Sequence, residues 1–394
     1  MQRVQKGLKA HTFAYLLILG LALWMSFTSA QGDIPEPLMP DTVTTEVLGE
    51  ASPHWVWVVD VNFLGLTASK ALLVDADSLK VLGSVSSGLT PNLEVSPDGS
   101  EFYVVETYYS KGTRGERQDL VAVYDGKTLS LKTEIEIPAH FSVVSKRPTA
   151  AISSDGRFLA VFNMRPATSV SIVDLNNHSL VGEFETPGCY MLTPIDARRF
   201  MMFCGDGSLQ SISLDDEGQV IARERSERII DVDGDPVFEH STMIAGDIFL
   251  LSYKGMVHQI DVDGVAPSLV KSFSLLAEGE EGWMPGGWQL ISSYDDKLYV
   301  LMDERPADTH KYPSGYVWVY DLSEEAVVQK IALEMPAQSL MVTQDETPLL
   351  LALGLIPELE LFGVLQSYDA LSGAFNGAVD SIGITPYLLI GYQP

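Results

Sequence analysis

Seven times along the chain an alternating apolar stretch runs into an aspartate and a second alternating stretch follows. The segments are "ALLVDADSLKVLGSV" around Asp75, "VAVYDGKTLSLKTEIEI" around Asp125, "VSIVDLNNHSLVGEF" around Asp174 and "QSISLDDEGQVIARE" around Asp215. "VHQIDVDGVAPSLVKSF" around Asp261, "VWVYDLSEEAVVQKIAL" around Asp321 and "LQSYDALSGAFNGAV" around Asp369 complete the set. A second phrase falls between them: "VSPDGSEFYVVE", "ISSDGRFLAVFN", "IDARRFMMFCGDG", "IAGDIFLLSYKG", "SSYDDKLYVLMDE" and "VTQDETPLLLALG". Each reads as a strand, a polar turn and another strand, because period-two alternation around Asp and Gly turns is the pattern of an antiparallel hairpin. Two interleaved hairpins supply four strands per repeat. Seven such repeats, spaced roughly 40 to 60 residues apart, predict an all-β, seven-bladed β-propeller. Beyond the first thirty residues no stretch keeps a helical period over three turns.

The ends of the chain are out of phase with the repeat, and the offset has a meaning. "HWVWVVD" (His54–Asp60) reads like a second strand such as "EFYVVE", whereas "ITPYLLIGY" (Ile384–Tyr392) reads like a first strand. The C-terminal segment should therefore complete the blade that the N-terminal segment begins. Closure of this kind leaves no free sheet edge for another chain to pair with. Residues 54–394 form the expected propeller, and residues 31–53, rich in Pro, Asp, Glu and Thr, an extended arm outside it.

Residues 1–30 have a different character. Arg3, Lys6 and Lys9 precede the apolar run "FAYLLILGLALWMSF", and Thr28 and Ala30 provide small residues before Gln31. This is the pattern of a cleaved secretory signal; an uncleaved membrane anchor is the alternative. Export bears on Cys189 and Cys204, the chain's two cysteines. An oxidising compartment favours a disulfide between them, with two buried free thiols as the alternative, and a Cα separation near about 5.5 Å is expected of the bond.

The formal net charge is −28, with acidic residues scattered over the chain, so a phosphate backbone would be repelled and nucleic acid is not an expected partner. The seven histidines form no close metal pair, and no nucleophile elbow, phosphate loop or dinucleotide fingerprint occurs. "DVDGDP" (Asp231–Pro236) lacks the rest of a calcium ligand set. From its residues alone the chain is an exported propeller with no catalytic centre of its own, whose aromatic patches point to a protein partner.

Several phrases together carry a resemblance. They are "GWMPGGWQ" (Gly282–Gln289), "RGERQDLVAVYD" (Arg114–Asp125), "KGMVHQIDV" (Lys254–Val262), "CYMLTPIDARRFMMFCGDGSL" (Cys189–Leu209) and "TQDETPLLLAL" (Thr343–Leu353). In this order, with the paired cysteines between them, the chain resembles the heavy subunit of the quinoprotein amine dehydrogenases, the group of methylamine and aromatic amine dehydrogenases. The resemblance implies a periplasmic α2β2 assembly that oxidises a primary amine to an aldehyde with release of ammonia. It implies a disulfide-rich light subunit that carries tryptophan tryptophylquinone, with electrons leaving to a blue copper protein or a c-type cytochrome. No cofactor, metal or catalytic residue is implied on this chain, and no membrane contact after signal cleavage.

Residue by residue, "DVNFLGLTASKALLVD" (Asp60–Asp75) resembles the family segment that places a phenylalanine at the mouth of the substrate channel, which is Phe63 here, with a buried turn residue as the alternative. Asn62, Leu64 and Gly65 depart from the methylamine forms, so methylamine and an aralkylamine both remain open as substrate. The Trp-Pro-Gly-Gly-Trp phrase looks like a family signature in a blade junction. Trp283 and Trp288 are read as packing residues, with contact to the light subunit as the alternative.

Overall fold

The computed structural model describes residues 46–138, 145–164 and 166–392. Those residues form seven antiparallel sheets arranged as the blades of a propeller. Helix among them is confined to two short 3-10 turns, Leu66–Ala68 and Arg147–Thr149. The proposed signal and most of the arm lie outside the described residues. Near the boundary, the Leu48 N–H donates to the Lys127 carbonyl at 2.9 Å, and the Leu48 side chain packs on the core of the first two blades.

Blade 1 joins the two ends of the chain. Its strands are Pro386–Gly391, Trp55–Asp60, Lys70–Asp75 and Lys80–Ser86, in that spatial order. The antiparallel register runs from Val56 opposite Gly391 to Asp60 opposite Pro386. The phase read from the repeat is thus the phase of the fold, and the C-terminal segment supplies the first strand. First strands of neighbouring blades line the axis and touch one another around the ring.

The remaining blades are continuous in sequence. The second is Leu89–Val95, Glu101–Tyr109, Arg117–Asp125 and Leu131–Ile137; the third is Ala150–Ile152, Phe158–Asn163, Ser169–Asp174 and Ser179–Glu185. The fourth is Cys189–Pro194, Arg199–Cys204, Leu209–Leu214 and Val220–Arg225; the fifth is Val237–Ile244, Asp247–Ser252, Met256–Asp261 and Ser268–Ser274. The seventh is Ser339–Val342, Leu349–Ile356, Leu361–Asp369 and Phe375–Val379.

Blade 6 departs from the pattern. Trp283–Pro285 and Ile291–Tyr294 both pair with Lys297–Glu304, followed by Ser314–Asp321 and Ala326–Ala337. The Pro-Gly-Gly phrase is therefore a break inside the first strand of one blade, and it meets the next blade through the Trp288 N–H, which donates to the Gln338 carbonyl at 2.6 Å, and through a parallel bridge from Gln289 to Ser339. Gly287 is required there: its φ is +138°, and a Cβ would meet the Gln338 carbonyl oxygen at 2.6 Å.

The strand sequences follow from burial. Second strands are covered by neighbouring blades on both sides, so they read as near-continuous apolar runs such as "FLAVF" and "IFLL". Fourth strands lie on the rim, and Ser268–Ser274 is exposed along nearly all its length. Between the blades lie large buried side chains, including Trp57, Trp318, Tyr299 and Phe102.

All seven repeated aspartates sit at the turn from third to fourth strand. Their carboxylates accept backbone N–H groups just downstream: Asp75 from Asp77, Asp125 from Lys127 and Thr128, Asp174 from Asn177, and Asp215 from Glu217 and Gln219. Asp261 accepts from Asp263, Asp321 from Ser323 and Glu324, and Asp369 from Ser372. Such Asx turns close a hairpin with local hydrogen bonds, which is why one residue type recurs at one place in each blade.

The cysteines are bonded, with Cα atoms 4.0 Å apart. This is closer than the 5.5 Å expected from disulfides in general. Cys189 and Cys204 face each other directly on the first two strands of blade 4, and Gly205 donates past them to the Gly188 carbonyl. Non-hydrogen-bonded cross-strand pairs approach more closely than other residues do.

Candidate functional site at the axial mouth

In each blade the start of the first strand, the end of the second, the start of the third and the end of the fourth share one face, here called the mouth; the aspartate turns lie on the opposite face. Phe63 sits at the mouth, in the loop that follows Trp55–Asp60. Asp60 organises that loop. Its carboxylate is fully buried and accepts the N–H groups of Asn62 at 3.1 Å, Ile384 at 2.8 Å and Thr385 at 2.9 Å. One oxygen set thus ties the loop to the strand that closes the ring. The approach is close: a Cβ on Gly383, at φ +91°, would meet the Asp60 carboxyl at 2.7 Å. The Phe63 N–H donates to the Thr385 hydroxyl at 2.8 Å, which fixes where its ring emerges.

The Phe63 ring is 37% exposed and stands edge-on to Tyr387, with centroids 5.1 Å apart. Trp288 stands edge-on to the same Tyr387 at 5.2 Å. Tyr387, which sequence reasoning treated only as part of a strand, thus joins two of the expected residues across the ring closure. The Lys311 ammonium lies 4.9 Å from the Trp288 ring centroid.

Trp283 is elsewhere. It packs against Tyr316 at 5.2 Å and the buried Trp318 at 5.1 Å, with Lys330 near both indoles. It is half-buried at the start of the first strand of blade 6, and its ring partners are not those of Trp288. The two indoles of the phrase therefore sit in separate ring clusters, Trp283 with Tyr316 and Trp318, and Trp288 with Tyr387.

Beside Trp288 opens a small cleft lined by Ser145, Lys146, Arg147, Pro148, Glu239, His240 and Leu388. Glu239 takes ion pairs from Lys146 and, at 3.4 Å, from Lys311. Burial opposes the charge on Glu239, but the two lysines outweigh it and hold the carboxyl below its usual value. Burial also lowers Lys311, with Lys146 as a like-charged neighbour. Arg147 pairs with the buried Glu94, whose pKa burial pushes up against the pull of the guanidinium. Burial and then the Arg147 charge push His240 down to about 3, so its imidazole is neutral at neutral pH. These groups come from blades 2, 3, 5 and 6, and no local sequence signal connects them.

Exposed aromatic rings gather on the mouth face, where Phe63 is joined by Tyr108, Tyr190, Tyr312 and Tyr316, with Leu64, Met164 and Leu359 beside them. Exposed apolar side chains concentrated on one face make it the candidate surface for a partner.

The described residues contain no group of three His, Cys, Asp or Glu placed to hold a metal, and both cysteines are in the disulfide. No helix among the described residues is long and apolar enough to cross a membrane.

Two solved structures share the fold at low identity. The structure of dihydro-heme d1 dehydrogenase superposes with a TM-score of 0.55 and 17% identity, covering 91% of this chain and 79% of that one. Kuenenia stuttgartiensis hydrazine synthase gives 0.51 and 14%, covering 88% and 99%. Both speak to the fold alone. Sequence relatives are more telling. The methylamine dehydrogenase heavy chain of Methylobacillus flagellatus is 29% identical over 353 residues, covering 88% of this chain and 86% of its own. That of Methylophilus methylotrophus is 28% identical over 386 residues, covering 95% and 93%. The pattern of the family described as methylamine dehydrogenase heavy chain (MADH) fits residues 53–392, which is the whole propeller from its first blade to its closing strand, and the chain belongs to that family.

Proposed function

We propose that this chain is the heavy subunit of a periplasmic amine dehydrogenase, exported by cleavage of residues 1–30. It serves as scaffold and substrate channel for a light subunit that carries tryptophan tryptophylquinone. The quinone supplies the electron sink for oxidising a primary amine to an aldehyde with release of ammonia. Electrons then leave to a blue copper protein or a c-type cytochrome. Family membership supports the amine dehydrogenase reading, and the aromatic mouth supports the docking reading.

The observation that carries the assignment is the Phe63–Tyr387–Trp288 set on a face of exposed rings. The light subunit covers that face in an α2β2 assembly. Phe63 and Tyr387 then form one wall of the passage that admits the amine. Their edge-on packing limits its width, and Asp60 holds the loop still from beneath. The net charge of −28 raises the local concentration of protonated amines around the assembly.

Purification from the native periplasm tests this reading. A small co-purifying subunit with a visible quinone band, bleached by methylamine or by phenylethylamine, is the expected result and chooses the substrate. A lone propeller without a chromophore would replace the reading with that of a periplasmic binding module. In the assembled enzyme, Phe63→Ala should shift kcat/KM toward the bulkier amine. An unchanged ratio would remove Phe63 from the channel.

A further inference from the structure

Two hairpin loops of opposite charge flank the Phe63 loop on the mouth. Each joins the second strand of its blade to the third, as the Phe63 loop does, so all three open on the same face. Blade 1 shares one apolar core with blade 2 and another with blade 7, which places the charged loops on either side of Phe63. The repeated aspartates end the third strands at the opposite face. The third strands of blades 2 and 7 have nine residues against six in blade 1, so their extra length lies at the mouth. The blade 1 loop, residues 61–69, carries no charged residue and exposes Leu64.

The blade 2 loop carries Lys111, Arg114 and Glu116, an excess of one positive charge, and the blade 7 loop carries Glu358 and Glu360. Lys111, Arg114, Glu358 and Glu360 are exposed and form no ion pair among the described residues. Backbone hydrogen bonds shape both loops. Ser110 N–H donates to the Glu116 carbonyl at 2.9 Å and Lys111 N–H to that of Arg114 at 3.0 Å. The N–H groups of Leu359 and Glu360 both donate to the Ile356 carbonyl, at 3.1 and 2.9 Å. The charged groups thus stand on ordered loops without serving their fold. Blade 6 is the contrast: Arg305 donates to three carbonyls and a hydroxyl of its own loop, and Lys311 pairs with Glu239.

Seven similar blades give the mouth a near-repeating surface, so apolar contact alone leaves the rotation of a covering subunit about the axis weakly determined. Fixed charges of opposite sign select one setting, because other settings set like charges together or leave charges unpaired. We propose that these two hairpins fix the rotational register of the light subunit on the mouth. Lys111 and Arg114 receive an acidic patch of that subunit, Glu358 and Glu360 a basic one, and the apolar surface between the patches covers Phe63 and Leu64. The inference rests on the heavy-subunit reading.

Carbodiimide joins an amine to a carboxylate only where the two already touch. Applied to the complex purified from the native periplasm, it should link Lys111 to an acidic residue of the small subunit, and Glu358 or Glu360 to one of its lysines, as read by mass spectrometry of the peptides. Lys111→Glu combined with Arg114→Glu should weaken assembly at least about ten-fold at low salt, and the deficit should shrink in about 1 M sodium chloride. Glu358→Lys should act in the same direction. Circular dichroism of each heavy chain should match wild type, because none of these side chains takes part in the fold. A complex whose cross-links avoid both loops, or whose stability neither reversal changes, would overturn the register proposal and leave the heavy-subunit reading intact. A chain with no co-purifying subunit would overturn both.

Discussion

Asp60→Ala should be among the most damaging single substitutions in this chain, and its effect can be worked from three hydrogen bonds. The carboxylate is fully buried and accepts N–H groups from Asn62, Ile384 and Thr385. Alanine leaves all three donors without an acceptor. Each orphaned buried donor destabilises by about 1–3 kcal/mol, and water entering the vacated space recovers part of this, so about 3–5 kcal/mol is expected. Asp60→Asn separates the contributions. Oδ1 serves both Asn62 and Thr385 and can be kept, while the new amide nitrogen faces the Ile384 N–H, donor against donor. One conflict in place of three predicts a loss of about 1–3 kcal/mol. Urea unfolding followed by tryptophan fluorescence measures both variants. Hydrogen exchange at the amides of 384 and 385 should quicken before the rest of blade 1 is affected. An alanine variant within about 1 kcal/mol of wild type, or one with unchanged exchange at those amides, would refute the view that this carboxylate fastens the Phe63 loop to the ring closure.

Three further outcomes are expected. His54 bridges Asp77 at 2.7 Å and Asp345 at 3.1 Å, joining blade 1 to blade 7; burial opposes its charge, but the two carboxylates outweigh it and raise its pKa above 6.5. Because the folded value is the higher one, this stabilisation is complete below about pH 6.5 and is lost as pH rises through the folded value, and it also falls at low pH when Asp345, held below 3.8, is protonated. His54→Gln should therefore lose about 1–2 kcal/mol at pH 6 and almost nothing at pH 9, so a pH-independent loss in thermal melts would contradict the ion-pair account. Replacing both Cys189 and Cys204 by alanine opens a fifteen-residue loop and should lose about 3 kcal/mol in non-reducing unfolding experiments, with dithiothreitol no longer affecting the variant. Trp283→Ala should lower stability by about 2–3 kcal/mol and leave subunit assembly intact, whereas Trp288→Ala should do the reverse; equal behaviour in both measurements would undo the separation of the two indoles.

The parts of this protein that could be read from the chain alone are those made by neighbours in sequence. A carboxylate that caps its own turn two to four residues on leaves an aspartate at one fixed place in every repeat, so the seven hairpins could be counted. Strands covered on both sides had to be apolar throughout, so the blades could be phased and the ring closure deduced from the mismatch of the two ends. The cysteine pair was legible because both residues lie in one hairpin, although the close facing geometry of their strands was not. Phe63 and the two tryptophans could be named by resemblance, yet their relations could not: Trp283 packed on Tyr316 and Trp318, while Phe63 and Trp288 met through Tyr387.

The mouth lay beyond sequence reasoning because its groups share no local pattern. Phe63 and Tyr387 are 324 residues apart, and the charged cleft draws Glu94, Lys146, Glu239 and Lys311 from four blades. Local hydrogen bonds and strand burial, repeated seven times, determined the propeller. Only closure of the ring, which brings first-strand ends from every blade to one axis, decided which side chains face each other there.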